Sequence, residues 1–363
     1  MHMVVSNELD KRKVQRPMAN KKEANYDVDV PRYHSSPMHP LLFMNLTHIL
    51  CSWEPARDFN YPVIQLPIVL TPHIRFSITD FSDVRHFADG SHANIFTAMY
   101  NERKVVIKII KREMKDDPIS VHEFDAEQGM LARVKHPHII ALYGAGFDGD
   151  RKFLVLEYLG GGSMRQMLED TAKKRRNSII SKLTDKKTFS YEETLKRARQ
   201  LASALNYLHR ECNTEACIIH RDLKPDNIAF ADDGRLVLFD LGLCTIVRRG
   251  SSADTVYEMT GGTGSLRYMA PEVALEQPYN EKADLYSFAI ILWQMAADQL
   301  PYEGASRASY LRYACKYGDR PDLNPRWPQG FKDLLTQCWH QEFRNRPSFD
   351  HVIEILDQLL GSI

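Results

Sequence analysis

Two short apolar runs separated by polar residues mark the centre of the chain. Residues 228–230 form the first run, residues 236–239 form the second, and the turn dipeptide Asp233-Gly234 lies between them. An Asp-Gly pair between apolar runs is typical of a tight hairpin. The pattern therefore predicts two short buried strands, with Asp240 placed directly after the second one.

Apolar residues at helical spacing predict four helices elsewhere in the chain. The first covers residues 118–134, and the second, over 190–208, opens on a Ser-x-x-Glu capping box. Residues 284–293 are almost wholly apolar, which predicts a buried helix, and residues 352–360 form a closing amphipathic helix.

Strand patterns dominate the region before these helices. Residues 105–110 and 153–159 are nearly continuous apolar runs, which predict buried strands. The second run leads into three glycines at 160–162, and this break predicts a hinge. Residues 87–96, followed by 97–100, predict a hairpin ahead of the first buried strand.

Lys108 and Glu127 interrupt these apolar patterns. Lys108 lies within a predicted buried strand, where its charge requires a partner. Glu127 lies on the apolar stripe of the helix predicted at 118–134. The two residues form a natural pair, although the pattern alone also allows Glu127 to lie in solvent at the edge of the stripe. Glu123 is the rival acid, but it lies off the stripe.

Composition limits the class of protein. The chain has 363 residues, 44% of them apolar, and its 47 lysines and arginines balance 47 aspartates and glutamates. A neutral total gives no electrostatic basis for nucleic acid as a partner. The six cysteines show no CxxC spacing, which favours a reducing compartment. No apolar run reaches the roughly 18 residues of a membrane span, so we expect a cytoplasmic protein.

Two segments lack a clear pattern. Residues 1–77 start with scattered basic residues, turn apolar and proline-containing after residue 37, and are predicted to be a partly disordered N-terminal extension. Residues 170–188 are polar and basic and are predicted to be a solvated insertion. A docking or targeting role is the alternative for both segments.

The segment His220-Arg221-Asp222-Leu223-Lys224-Pro225-Asp226-Asn227 carries the chemistry of the chain. It precedes the predicted hairpin, whereas Asp240 follows it. Oxygen ligands are thus expected at both ends of one hairpin, an arrangement that suits cations bridging phosphates.

This segment resembles the catalytic loop of protein kinases, and Asp240-Leu241-Gly242 resembles their metal-binding triplet. Ala270-Pro271-Glu272 matches the triplet that closes a kinase activation segment. Together with Lys108 and Glu127, these motifs occur in the order found in the family. The chain is therefore identified as a member of the protein kinase superfamily, and it looks most like the serine/threonine, tyrosine-kinase-like group that includes mixed-lineage and Raf-type kinases.

The resemblance covers residues 78–361 and implies an α+β, bilobal fold. It implies a small β-sheet lobe with one helix over about 78–157 and a larger, mainly helical lobe over about 160–361. It further implies that Asp284 bonds the backbone of the catalytic loop and that Arg346 pairs with Glu272.

The resemblance also implies roles in phosphoryl transfer from ATP to serine or threonine hydroxyls of protein substrates, as part of intracellular signalling. Asp222 would orient the acceptor hydroxyl and take its proton, and Lys224 would neutralise charge on the moving phosphoryl group. Asn227 and Asp240 would hold Mg2+. Lys108, paired with Glu127, would hold the α- and β-phosphates of ATP.

Further residues are implied to surround the nucleotide. The three glycine positions of the family's phosphate-covering loop correspond here to Ala88, Gly90 and Ala93, and Ile95 takes the apolar position. Only the central glycine is present, and Leu241 replaces the family's usual phenylalanine. At the hinge, the backbone of residues from Glu157 to Leu159 would bond adenine, with Leu156 controlling the pocket behind it.

The sequence is compatible with three functions: an active serine/threonine kinase, a pseudokinase acting as a binding module, and a small-molecule phosphotransferase. The intact Lys108, Asp222, Asn227 and Asp240 favour the first. Lys224 and Ser265 favour serine/threonine over tyrosine acceptors. The oligomeric state is left open.

Arg221 predicts regulation by phosphorylation, with ordinary solvation of its side chain at the surface as the alternative. A phosphate on the activation segment would give this guanidinium a bidentate partner. The hydroxyl-bearing candidates are Ser251, Ser252, Thr255, Tyr257, Thr260 and Thr263, with Thr260 and Thr255 favoured.

Overall fold

The computed structural model describes residues 74–177, 187–250, 252 and 254–363. The predicted N-terminal extension up to residue 73, residues 178–186 of the predicted insertion and the candidate phosphorylation site Ser251 lie outside the described residues. None of the helices within the described ranges is long and apolar enough to cross a membrane.

A six-stranded sheet forms the first part of the described chain. Its strands lie in the order β1-β5-β6-β4-β3-β2, and their bounds are β1 (Ile74–Ser77), β2 (Ser82–Asp89), β3 (Ala93–Tyr100), β4 (Arg103–Ile110), β5 (Leu142–Asp148) and β6 (Arg151–Glu157). The strands predicted from apolar runs correspond to β4 and β6. Buried apolar side chains on one face form a small core of their own, which includes Phe76, Ile107 and Phe153.

The edge strand β1 runs parallel to β5, whereas every other pair in this sheet is antiparallel. Phe76 of β1 is buried. A Cβ on Gly144 would lie 2.0 Å from the carbonyl oxygen of Ile74, so a side chain at this position would prevent β1 from approaching. Glycine at position 144 therefore permits the parallel pairing.

Helix α1 (Pro118–Leu131) packs beside this sheet. Asp117 caps its N-terminus by accepting a hydrogen bond from the Ser120 amide, and proline occupies the first helical position, where its missing N–H costs nothing. The sequence pattern predicted a helix to residue 134. The helix ends three residues earlier because the last turn tightens, with the Arg133 amide donating to the carbonyl of Met130.

Helices are the main regular structure of the described residues after residue 160. Their bounds are α2 (Met164–Asn177), α3 (Tyr191–Asn206), α4 (Pro271–Ala274), α5 (Lys282–Ala297), α6 (Arg307–Ser309), α7 (Gln329–Cys338) and α8 (Phe349–Leu360). The predicted capping box is present at the start of α3. Helix α5 is buried along nearly its whole length, as its continuous apolar sequence predicted. The α+β fold, with a sheet lobe and a helical lobe, is confirmed.

Two small antiparallel pairs lie between α3 and α4. Strands β8 (Ile228–Phe230) and β9 (Leu236–Leu238) form the predicted hairpin, and all their side chains are buried. Strands β7 (Ala216–Ile219) and β10 (Thr245–Arg248) form the second pair. The segment with Asp222 leaves β7 and enters β8, so the two pairs fix both of its ends.

Candidate active site

Asp284 anchors the loop between β7 and β8. Its carboxylate accepts hydrogen bonds from the backbone amides of His220, at 2.8 Å, and Arg221, at 3.0 Å. His209 contacts the same carboxylate through Nε2 at 2.8 Å. Burial opposes ionisation of Asp284, but the His209 contact and the backbone bonds outweigh it, so the pKa of Asp284 is lowered. The predicted inward role of Asp284 is confirmed.

Asp222 is held by three donors. Oδ1 accepts the backbone amide of Ser265 at 2.9 Å, while Oδ2 accepts Lys224 Nζ at 2.6 Å and Asn227 Nδ2 at 3.2 Å. The side chain of Asp222 is 8% exposed. The structure therefore brings the predicted residues Asp222, Lys224 and Asn227 together around one carboxylate.

Gly264 allows the activation segment to reach this carboxylate. Its backbone is left-handed, with φ 97°, and a Cβ here would lie 2.4 Å from the carbonyl oxygen of Arg221 and 3.2 Å from Oδ1 of Asp222. Any other residue would push away the Ser265 amide that bonds Asp222. The sequence indicated Ser265 as a residue near Asp222 and Lys224 and as a sign of acceptor type, but it did not indicate this role of Gly264.

Asn227 and Asp240 have the donor chemistry that Mg2+ requires. The amide nitrogen of Asn227 donates to the carbonyl oxygen of Asp222 at 2.9 Å as well as to its carboxylate, which leaves the amide oxygen of Asn227 for another partner. Asp240 follows β9 with a left-handed backbone, φ 63°, and contributes a carboxylate. An amide oxygen and a carboxylate are hard ligands that fit a magnesium ion bound together with phosphates.

Lys108 and Glu127 form the predicted pair. Lys108 Nζ lies 2.5 Å from Glu127 Oε2, and the glutamate side chain is 5% exposed. Burial lowers the pKa of Lys108, but the carboxylate of Glu127 and the charges of Asp240 and Glu123 outweigh burial and raise it. Lys108 is therefore positively charged, and its charge interacts favourably with that of Asp240. The alternative that Glu127 lies in solvent is wrong.

The rival acid Glu123 has a different partner. It lies 2.7 Å from Nδ1 of His92, at the turn between β2 and β3. In that turn the Gly90 amide donates to the carbonyl of Ala93 at 2.9 Å. Ala88 pairs in register with Ile95 across the hairpin, and Ile95 pairs with Lys108 on the other side. The four residues predicted to cover the nucleotide thus lie on one hairpin next to Lys108.

The hinge carries the three predicted residues Leu156, Glu157 and Leu159. Leu156 is buried and lies opposite Val106 in the sheet. The Glu157 amide donates to the carbonyl of Ala141 at 3.0 Å, and its carboxylate lies 2.5 Å from the guanidinium of Arg235. Because its amide is occupied, Glu157 can offer a nucleotide base its carbonyl only.

Arg221 and Arg249 tie the activation segment to the rest of the site. Arg221 Nη1 donates to Oγ1 of Thr260 at 3.1 Å, one of the two favoured phosphorylation candidates. Arg249 donates to the carbonyls of His209 and Ala216, at 2.7 and 3.0 Å. Sequence reasoning missed this role of Arg249, since a single arginine in a polar segment carries no signal of such contacts.

A cavity of about 590 Å³ adjoins Lys224. It extends along the activation segment past Ser265 and is bordered on the other side by Arg165 and Asp226. Arg165 Nη1 lies 2.6 Å from Asp226 and its Nε lies 2.8 Å from Glu169. The cavity thus lies beside Lys224, whose Nζ contacts the Asp222 carboxylate.

The chain matches the protein tyrosine and serine/threonine kinase family over residues 82–356. It is 32% identical to the serine/threonine-protein kinase VIK of Arabidopsis thaliana over 77% of this chain and 60% of that protein. It is 30% identical to mitogen-activated protein kinase kinase kinase 7 of Drosophila melanogaster, over 79% of this chain and 39% of that protein.

A third relative is the serine/threonine/tyrosine-protein kinase HT1 of Arabidopsis thaliana, which is 27% identical over 75% of this chain and 64% of that protein. The chain thus covers less than two thirds of the length of each of these three relatives. The names of the two Arabidopsis thaliana relatives state a kinase that acts on serine and threonine.

Proposed function

Because this chain belongs to the protein tyrosine and serine/threonine kinase family, we propose that it transfers the γ-phosphate of ATP to serine and threonine hydroxyls of protein substrates. The observation that carries the proposal is the Asp222 carboxylate, which is held by Lys224, Asn227 and the Ser265 amide. These three contacts fix the orientation of the Asp222 carboxylate as a general base, and Lys224 places a cation beside it.

In the proposed reaction, Asp222 orients the acceptor hydroxyl and receives its proton as the bond from the acceptor oxygen to the γ-phosphorus forms. The bond from the γ-phosphorus to the β–γ bridging oxygen breaks, and ADP leaves. Lys224 lies 2.6 Å from Asp222, close enough to compensate charge that develops on the transferred group. Transfer of phosphoryl groups depends mainly on positioning and electrostatic stabilisation. Asp222 would supply the positioning and Lys224 the electrostatic stabilisation.

Nucleotide binding is assigned to the sheet lobe and the hinge. Lys108 would contact the α- and β-phosphates, and the hairpin with Ala88, Gly90, Ala93 and Ile95 would cover them. Bound Mg2+, held by Asn227 and Asp240, would neutralise phosphate charge. The carbonyl of Glu157 and the amide of Leu159 would bond adenine, with Leu156 behind it.

The acceptor class is proposed from Lys224 and Ser265, both of which line the cavity and contact Asp222. A subgroup assignment to the tyrosine-kinase-like serine/threonine kinases agrees with this choice. Five described cysteines are free thiols, and three of them are buried, which supports a reducing compartment such as the cytoplasm and hence a role in intracellular signalling.

The test is transfer of radiolabelled phosphate from ATP to a generic protein acceptor, followed by phosphoamino-acid analysis. We expect Mg2+-dependent labelling of serine and threonine that Asp222→Asn abolishes. Binding of ATP without transfer would instead favour a pseudokinase, and labelling of small hydroxyl compounds but not of protein would favour a small-molecule phosphotransferase.

A further inference from the structure

A close contact between two side chains joins the tip of the β2–β3 hairpin to helix α1. Nδ1 of His92 lies 2.7 Å from Oε2 of Glu123, and the two side chains are 37% and 36% exposed. Glu123 stands one helical turn before Glu127, so the two acids lie on neighbouring positions of α1. One acid contacts the loop over the proposed phosphate site, and the other contacts Lys108 beneath it.

The backbone around His92 is also fixed. Its carbonyl accepts a hydrogen bond from the Lys111 amide at 3.0 Å, and the Gly90 amide closes the turn onto Ala93. Asp117, at the start of α1, adds a second carboxylate near the ring: hydrogen bonds from Ser120 lower its pKa most, and the charge of His92 contributes. The His92 ring therefore faces an acidic end of α1.

Glu123 lies close to two other parts of the proposed site, Lys108 and the triplet that begins with Asp240. Its charge contributes to the raised pKa of Lys108. Its backbone carbonyl lies 3.8 Å from the place where a Cβ on Gly242 would be, so α1 approaches the triplet that begins with Asp240. A contact to Glu123 is thus a contact to the helix that carries Glu127, the partner of Lys108, and that passes close to Gly242.

We propose that His92 and Glu123 form a latch that holds the β2–β3 loop closed over the nucleotide, with His92 as a positioning residue for ATP. The inference rests on the proposed kinase function. A loop that is already held in place loses less conformational entropy when it closes on a ligand. The latch also makes loop closure depend on the position of α1, so a shift of this helix would release the loop.

The latch is expected to act on nucleotide binding more than on the chemical step. Half-exposed ion pairs contribute roughly 0.2–1 kcal/mol, which corresponds to an affinity change of about 1.4- to fivefold. We therefore expect His92→Phe and Glu123→Gln each to raise KM for ATP, with kcat within about twofold of the wild-type value. The double variant should show no further increase, because either single change already breaks the pair.

Two further variants separate the latch from a general effect on the loop. His92→Gln keeps a side-chain donor that can reach Glu123 and should restore most of the affinity. His86→Phe is the matched control, since His86 lies on β2 in the same hairpin but contacts Asp89 of its own strand. This control should leave KM for ATP unchanged.

The measurements are steady-state kinetics and calorimetric titration of the wild-type protein and these variants with Mg2+–ATP. Additive effects of His92→Phe and Glu123→Gln, or a wild-type KM in both, would overturn the latch. If the wild-type protein binds ATP but transfers no phosphate, the proposed function fails while the calorimetric comparison still decides on the latch. No ATP binding by the wild-type protein overturns both.

Discussion

Arg346 and Glu272 form a bidentate ion pair in the interior of the protein. Nη1 and Nη2 of Arg346 lie 2.5 and 2.9 Å from the two carboxylate oxygens, although 74 positions separate the residues in the sequence. Arg346 Nε donates to the carbonyl of His340 and Nη1 also donates to that of Lys282. The pair predicted from the family resemblance is confirmed. It joins the end of the activation segment to the segment before α8, and the bond to Lys282 extends the contact to the start of α5.

Replacement of Arg346 by methionine should destabilise the fold. The Arg346 side chain is 0% and that of Glu272 is 7% exposed, and removal of one member of a buried pair costs about 3–5 kcal/mol because the other charge is left uncompensated. Urea denaturation should show this loss. Arg199→Met is the control: its pair with Asp357 is 43% and 47% exposed, so its loss should stay below about 1 kcal/mol. Equal effects of the two variants would contradict the prediction.

Asp222 and Asp240 should be required for activity and dispensable for folding. Asp222→Asn should abolish phosphate transfer while thermal stability and ATP binding stay nearly intact, because asparagine keeps the shape but cannot accept the proton. Asp240→Asn should weaken Mg2+-dependent ATP binding in a calorimetric titration. If Asp222→Asn no longer unfolds cooperatively, the residue has a structural role.

Lys108→Met and Glu127→Gln should each lower kcat steeply, by a factor of at least about ten, because loss of either partner leaves the other charge uncompensated and the phosphates unanchored. Glu123→Gln, on the same helix, should retain kcat because its partner is His92. Steady-state kinetics of the three variants make the comparison. A normal kcat in Glu127→Gln together with a collapsed kcat in Glu123→Gln would be inconsistent with the observed pairing.

Stability should fall as the pH drops from about 6.5 to about 4, in part because of His136. Burial, followed by the neighbouring His138, lowers the pKa of His136 from its ordinary 6.5 to about 4. Between these values the unfolded chain binds a proton that the folded protein does not, so acid favours unfolding, and the contribution levels off below about pH 4. Urea titrations at pH 7.5 and 5.0 should show a smaller loss for His136→Gln than for the wild-type protein. Identical losses would exclude His136 as a source.

Phosphorylation of the activation segment should raise activity through Arg221. Thr260 already accepts a hydrogen bond from Arg221, and a phosphate there would offer the guanidinium two charged acceptors. Phosphatase treatment should lower activity, Thr260→Val should be insensitive to it, and mass spectrometry should find phosphate between residues 251 and 263. Full activity in protein that carries no phosphate across this stretch would refute the prediction, and Arg221 would then be a packing residue only.

Features with a local sequence signature could be predicted, whereas those created by distant contacts could not. The hairpin β8–β9 follows from apolar runs and an Asp-Gly turn, and the start of α3 follows from its capping box. Arg221 and Asp240 both have left-handed backbones, φ 68° and 63°. Such conformations are energetically costly for residues other than glycine and persist only where the surrounding structure enforces them. No local pattern in the sequence predicts them.

The roles of Gly264 and Arg249 were missed for the same reason. Gly264 is required because another segment, at Arg221 and Asp222, passes within van der Waals distance of it. Arg249 bonds carbonyls from residues more than 30 positions earlier. The pair Lys108–Glu127 could be predicted more easily. A charged residue within each of two apolar patterns indicates that the two charges pair with each other.

The parallel strand β1 determines where a shortened version of the protein can begin. The family match starts at residue 82, eight positions after Ile74, and a fragment cut there would lack the strand that covers β5. Strand β5, which contains Gly144 and Gly146, would then be an unpaired edge strand. Glycine has no side chain that could hinder pairing, so strands of other chains could add to this edge. A shortened protein should therefore retain residues 74–77 to avoid aggregation.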